Sequence, residues 1–287
     1  MKIKSFDYFF DRDKGKKCLI LGGAPSIMEI DYENFNGIII SMGDIPLRLQ
    51  RDCQIDYWVN ANSIFPIPDV DYEKINKIKN TTLLIAHSVT RKLNYSVIRE
   101  QLNVPWFEYD QRHFGGRSCD NQIDSRIHLT EKQDCCAQIG NVTIQEFLQR
   151  KYKATGHYSS GATVAIHALS LAIILGCKKI YVGGVEIPIY AKDYNYFGLP
   201  SITGILKSED GAWVINRHTI KIFFSVLFNL KIKSEFYPDV SEILTDFEYL
   251  NNICLDNNIE LFNVSAKSNL NKIACFKYIN PDKINLV

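Results

Sequence analysis

Gly22-Gly23-Ala24-Pro25-Ser26 follows the apolar run KCLIL (17–21) and leads into IMEID (27–31). Two glycines let a backbone turn sharply and come close to an anion. Pro25 suits the first position of a helix, where its missing N–H is no loss. Ser26 offers a hydroxyl or a cap, and the amides of the next turn favour negative charge. Glu29 and Asp31 fall at the far end, where they do not cancel that field. The chemistry on offer is the seating of a phosphate; the plainer alternative is a Gly-Pro turn that only links strand to helix. A Walker loop is excluded, because no Gly-Lys-Ser/Thr follows. Met28 stands where a dinucleotide fingerprint places its third glycine, although Asp44 sits where a ribose-binding acid would lie.

Further polar groups fall at comparable points along the chain. Ser159, Ser160 and Gly161 precede the apolar stretch ATVAIHALSLAIILGC (162–177) and supply a second set of amides and hydroxyls at a helix start. Serine there is otherwise a simple cap. Glu186 comes just after Gly183-Gly184, where it binds a hydroxyl or merely ends a strand. Asn60 and Asn62 in WVNANSIF read a base or a sugar, since each amide both donates and accepts, or they cap a turn. Arg217 and His218 in WVINRHTIKIFF mark a polar-to-apolar switch that reads as a helix start. A histidine near its normal pKa is matched to proton abstraction at neutral pH, and a helix start keeps it neutral. The plainer reading leaves both residues on the surface. His167 lies on an apolar helix and reads as a core residue.

Metal ligands are not expected. Asp69-Val70-Asp71 follows Pro68 and opens a helical pattern, so its carboxylates read as helix caps. Asp11-Arg12-Asp13 lies in a charged run expected at the surface.

These residues need elements to hold them. Short β-rich runs recur at 17–21, 37–41, 56–61, 82–86, 179–184 and 259–264, and several are apolar on both faces, as strands between helix layers are. Helical patterns lie between them, clearest at 141–152, 162–177, 218–230 and 239–257. The alternation predicts one α/β domain over residues 1–287, built on a doubly wound, mostly parallel, Rossmann-like sheet. Residues 109–140 are polar and read as a surface insertion. Residues 187–217 carry aromatics, glycines and prolines with little periodicity, and read as an active-site lid.

Bulk properties narrow the class. A hydrophobic fraction of 46% in 287 residues supports a sizeable core. A formal charge of +1 argues against a nucleic-acid partner. The charged start MKIKSFDYFFDRDKGKK is unlike a signal peptide, and residues 162–177 fall short of a membrane span, so a soluble cytoplasmic protein is expected. The eight cysteines form neither a disulfide framework nor a zinc pattern; Cys18 and Cys177 read as small core residues. The segment TIKIFFSVLFNLKIKS (219–234) is apolar with three lysines. It is expected to pack on the sheet, with contact to the inner membrane surface or a homo-oligomer partner as alternatives.

LILGGAPSIMEID, WVNANSIF and YSSGATVAIHALSLAIILGCKKIYVGGVE, with a Tyr-rich segment ending in a histidine, resemble the bacterial lipooligosaccharide sialyltransferases. They also resemble the motility-accessory-factor glycosyltransferases that modify flagellin with nonulosonic acids. The resemblance spans residues 17–270 and is concentrated in the two glycine-rich stretches. It implies a GT-A-like fold and metal-independent, inverting transfer of a sialic-acid-like sugar from a CMP donor to a glycan or protein hydroxyl, in cell-surface glycan synthesis. No cofactor is implied beyond the donor substrate. By position, Gly22, Gly23, Ala24, Pro25 and Ser26 would hold donor phosphate and ribose, with Asn60 or Asn62 on the donor. Ser160 and Gly161 would contact the nucleotide, Tyr194 or Tyr196 would donate to the leaving phosphate, and His218 would be the base. The chain departs from the pattern at Gly23, at Gly43 or Asp44, at Glu186 and at Pro188, where the family carries asparagine, asparagine, aspartate and tyrosine. The nucleotide or sugar is therefore open. Two other outcomes are a pterin-pyrophosphokinase-like phosphate-handling enzyme and a nucleotide-binding protein whose site no longer catalyses.

Overall fold

The computed structural model describes residues 1–3, 6–43, 45–49, 54–60, 78, 80–86, 103–109, 138–139, 142–153, 163–187, 220, 224, 227–231, 240–273 and 276–285. Eight strands form one sheet: β1 (Lys17–Leu21), β2 (Ile38–Met42), β3 (Tyr57–Asn60), β4 (Thr82–Ala86), β5 (Trp106–Tyr109), β8 (Lys179–Gly183), β9 (Glu260–Asn263) and β10 (Lys277–Tyr278). A separate antiparallel pair joins β6 (Gln138–Ile139) to β7 (Val142–Thr143). The α-helices among the described residues include α1 (Ile45–Arg48), α2 (Ile144–Tyr152), α3 (Val164–Ile174) and α4 (Val240–Asp256), and Ile220, Phe224 and Leu227 are helical as well.

Across the sheet the strands run β10-β9-β8-β1-β2-β3-β4-β5, and every pairing is parallel. The chain winds outward from β1 to β5, returns, and winds the other way from β8 to β10. The order therefore reverses between β1 and β8, which makes the sheet doubly wound and gives it a switch point there. The expected α/β class is correct.

The central strands β1, β2 and β8 serve two cores. Cys18 and Ile20 of β1 join a large core with α3 and α4, while Leu19 and Leu21 face a smaller one with Ile27, Phe35 and Ile45. Period-two alternation divides the side chains, and burial of both faces explains why residues 18–21 are apolar throughout. Helix α3 packs on β1, β2 and β3 and also against α4, so Ala165 through Ile174 are all buried. A helix covered on both sides has no need of an amphipathic stripe. His167 is among its buried residues, as are Cys18, Cys177 and Cys254 on the neighbouring elements.

Several sequence expectations need correction. Strands β5, β6, β7 and β10 were not anticipated, and Tyr109 and Gln138–Ile139 belong to strands rather than to a polar insertion over 109–140. The turn after β1 is not an α-helix but a 3-10 helix of five residues, Pro25–Glu29, with Pro25 in its first turn. Asp13 does not sit on the surface. It is buried, accepts from the Tyr57 hydroxyl at 2.5 Å, and pairs with the Lys16 ammonium at 2.7 Å. Asp11 pairs with Lys151 at 3.1 Å, and the Arg12 guanidinium lies 4.0 Å from the Tyr8 ring centroid.

Candidate functional site

Because all eight strands are parallel, their carboxyl ends share one rim, and the switch point brings Gly22 and Gly23 beside Gly183 and Gly184. The two glycine turns continue the β1–β8 ladder past the strand ends. Gly22 N–H donates to the Gly183 carbonyl at 2.8 Å, and Ala24 N–H donates to the Gly184 carbonyl at 2.9 Å. The approach leaves no room for side chains: a Cβ on Gly22 would lie 2.3 Å from the Gly184 carbonyl oxygen. A Cβ on Gly183 would meet Ile30 at 2.2 Å and Val264 at 2.8 Å. Gly184 also has φ of +66°, a conformation glycine adopts without strain. Glycine is thus required here for chain-to-chain contact as well as for turning.

Ser26 is placed differently from expectation. Its side chain is buried, and its Oγ lies 2.8 Å from Ser265 Oγ instead of facing the rim. Its backbone N–H donates to Glu186 Oε1 at 3.2 Å. A carboxylate of the chain itself therefore takes one of the amides expected to hold a phosphate. Glu186 caps the turn of the opposite strand, so it neither stands alone nor merely ends β8. Gly23, Ala24 and Pro25 remain half-buried at the rim, and Ala24 caps the 3-10 helix without a side-chain bond.

Sequence reasoning missed the residues after β9. Ser265 Oγ, besides meeting Ser26, accepts from Gly184 N–H at 3.0 Å. Asn263 Nδ2 donates to the Ser265 carbonyl at 3.0 Å, and Asn263 Oδ1 accepts from Ser265 N–H at 3.0 Å. Ser268 Oγ donates to the Val185 carbonyl and Asn269 Nδ2 to the Ile187 carbonyl, each at 2.5 Å. This polar segment fixes the path of residues 184–187. Its only local signal is the cluster NVSAKSN after an apolar run, a pattern ordinary turns share.

Two more elements reach the same rim. Asn60 is buried at the carboxyl end of β3, two strands from β1, so about 10 Å away by strand spacing. The carboxyl end of α3 is tied to the opposite edge, where Asp13 N–H donates to Leu175 and Gly15 N–H to Gly176. Its amino end is therefore directed at the rim. The cap is Thr163, whose side chain accepts from Ile166 N–H at 3.4 Å, and not Ser159 or Ser160. His167 is held in the core, with its Nδ1 3.2 Å from the Tyr109 hydroxyl. Burial pushes that tyrosine's pKa up, which keeps it protonated.

Of the sequence candidates, Gly22, Gly23, Ala24, Pro25, Ser26 and Glu186 come together at the switch point, and Asn60 shares their rim. Asp44, Asn62, Ser159, Ser160, Gly161, Tyr194, Tyr196, Arg217 and His218 lie outside the described residues, as do Asp69, Asp71 and all of the 187–217 lid except Ile187.

Neither a protein-family model nor a curated protein matches the chain. Solved structures similar to it include a Campylobacter jejuni sialyltransferase in complex with the substrate analogue cytidine-5'-monophosphate. That likeness has 14% identity, covers 93% of this chain and 86% of the other, and has a TM-score of 0.42. An α-2,3-sialyltransferase from Campylobacter jejuni in apo form has 10% identity over 94% of this chain and 82% of that one, with a TM-score of 0.41. A Maf glycosyltransferase from Magnetospirillum magneticum AMB-1 has 13% identity over 97% of this chain but 38% of its own length, with a TM-score of 0.43.

Proposed function

We propose that the chain is a glycosyltransferase that moves a sialic-acid-like sugar from a CMP-activated donor to a hydroxyl of a glycan or protein. The observation that carries the proposal is the reversal of strand order between β1 and β8, with both glycine turns pressed together at the carboxyl rim. Ligands of open α/β sheets bind beyond the strand ends at such a point. The choice of glycosyl transfer rests on the motifs that carry the resemblance.

In this reading the rim at Gly23, Ala24 and Glu186 receives the nucleotide, with Asn60 or Asn62 on the base or sugar. His218 removes the acceptor hydroxyl's proton as that oxygen attacks the anomeric carbon, and configuration inverts as CMP departs. Tyr194 or Tyr196, with Arg217, takes up charge on the leaving phosphate, so no metal is required. Work at the cytoplasmic side of the inner membrane fits this reading.

Thermal-shift measurements with CMP, CDP, UDP, ADP and NAD in the presence of a chelator, and in parallel with ATP plus magnesium, test it, because a ligand of the native state raises apparent stability. CMP-selective stabilisation is expected. Stabilisation only by ATP with magnesium would favour phosphate transfer instead, and no response to any nucleotide would refute the proposal.

One observation favours a second reading, nucleotide binding without catalysis. Ser26 has its hydroxyl on Ser265 and its amide on Glu186, so neither group is open to a phosphate. Retained CMP binding with no turnover of any CMP-sugar would select it.

A further inference from the structure

Among the described residues, ten large hydrophobic side chains are exposed, and five of them fall between 220 and 230: Ile220, Phe224, Leu227, Phe228 and Leu230. Ile220, Phe224 and Leu227 are helical, and Phe228 N–H donates to the Phe224 carbonyl at 3.0 Å. Positions 220, 224, 227 and 228 therefore lie on one helical stripe. A helix packed on a sheet buries such a stripe, yet here these side chains are 38% to 60% exposed. The Phe224 and Phe228 rings stack with centroids 5.9 Å apart and planes 6° from parallel, forming a flat aromatic surface. The other exposed hydrophobics are scattered singly, as is ordinary.

Charge decides what covers this face. Between Asp210 and Glu235 the sequence has no acidic residue, while Arg217, Lys221, Lys231 and Lys233 are basic. Lys231 is exposed directly after the stripe. A second copy of the face would bring like charges together, which opposes association. Anionic headgroups would neutralise them, with each basic side chain near the surface adding to the attraction. From Ile220 to Phe228 the stripe is about 12 Å long at the helical rise, well short of the ~30 Å hydrocarbon core. No helix among the described residues is long and apolar enough to cross a membrane. We propose that Ile220, Phe224, Leu227, Phe228 and Leu230, with Lys231, form a docking face for an anionic lipid bilayer, lying in its interface with Phe224 and Phe228 at the headgroup–acyl boundary. The inference does not depend on what the rim binds.

Co-sedimentation of the full chain with vesicles tests it, comparing phosphatidylcholine alone with phosphatidylcholine containing phosphatidylglycerol, at low and high salt. Binding to the mixed vesicles at low salt, weakened by added salt, is expected. The double variant Phe224→Ser/Phe228→Ser should bind about tenfold more weakly or less, since two apolar side chains no longer insert. Lys231→Glu should weaken binding to the mixed vesicles severalfold and leave the weak binding to phosphatidylcholine unchanged. Both sites are exposed, so circular dichroism and thermal midpoints should be those of the wild type. If the double variant fails to fold, Lys231→Glu and the salt dependence decide by themselves. Absence of binding to mixed vesicles overturns the proposal, as does binding that neither variant alters. A wild-type dimer in sedimentation velocity that the double variant dissolves, without vesicle binding, overturns it in favour of a second copy of the chain.

Discussion

Gly22 and Gly184 face each other across the β1–β8 boundary so closely that neither tolerates a side chain. A Cβ on Gly22 would lie 2.3 Å from the Gly184 carbonyl oxygen, and one on Gly184 would lie 2.4 Å from the Gly22 carbonyl oxygen. Both atoms in the way are backbone, which cannot rotate aside. Gly184→Ala adds the strain of a positive φ to the clash and should destabilise the fold by about 3 kcal/mol. Gly43→Ala is the control: φ is +59°, but the space around it is open, so only the conformational cost of about 1 to 2 kcal/mol should appear. Urea denaturation measures both. Equal losses at the two glycines would mean that the turns are not in contact.

The sequence made β1 and β4 legible to the residue, because KCLIL and TLLIA are apolar runs that end in clear breaks. It made the glycine turns legible as turns but not as partners, since their contact depends on β8 returning beside β1 across more than 150 residues. Strand β5 was hidden for a related reason. Its WFEY carries Glu108, buried opposite the Lys2 ammonium at 3.8 Å, so a charge that looks solvated locally is satisfied by the far end of the chain. Ser26 was misplaced because its hydroxyl has a partner from beyond β9, which no local pattern reveals. His167 was placed correctly, since nine apolar neighbours in its helix outweigh one imidazole.

The Ser26–Ser265 contact should show coupling. Ser265→Ala leaves Gly184 N–H and Ser26 Oγ without this acceptor and partner in a buried position, which costs about 1 to 3 kcal/mol. Ser26→Ala removes only the hydroxyl pair and should cost less. The double variant should lose clearly less than the sum of the two single losses, because both remove the same contact. Strict additivity in a double-mutant cycle would show that the two hydroxyls do not meet.

Glu186 distinguishes two roles for the rim. Its Oε1 is held by Ser26 N–H, which leaves the other carboxylate oxygen for a ribose hydroxyl. Glu186→Ala should then weaken CMP binding by about tenfold or more, the loss of one charge-assisted hydrogen bond. The opposite sign would be equally informative: tighter CMP binding would mean that the carboxylate competes with the phosphate for the Ser26 amide. Titration calorimetry of both proteins reads the sign directly.

Asp56 gives a pH dependence of stability at the opposite edge of the sheet. Its carboxylate accepts from Ile39 N–H at 2.8 Å and from Gln54 Nε2 at 3.0 Å. Burial nevertheless pushes its pKa above the ordinary aspartate range, assisted by the nearby Asp13 carboxylate. A raised carboxyl pKa means that the folded chain binds this proton more tightly than the unfolded chain. The contribution is therefore fully present below the unfolded pKa and is lost as pH rises through the folded one. Asp56→Asn cannot ionise, and its amide can still accept from Ile39 N–H. The stability of Asp56→Asn relative to wild type should increase as pH rises from about 4, the unfolded aspartate value, and level off once Asp56 is ionised in the folded chain. Denaturant midpoints of the two proteins across that interval measure the difference, and a gap that does not change with pH would show that burial of this carboxylate carries no penalty.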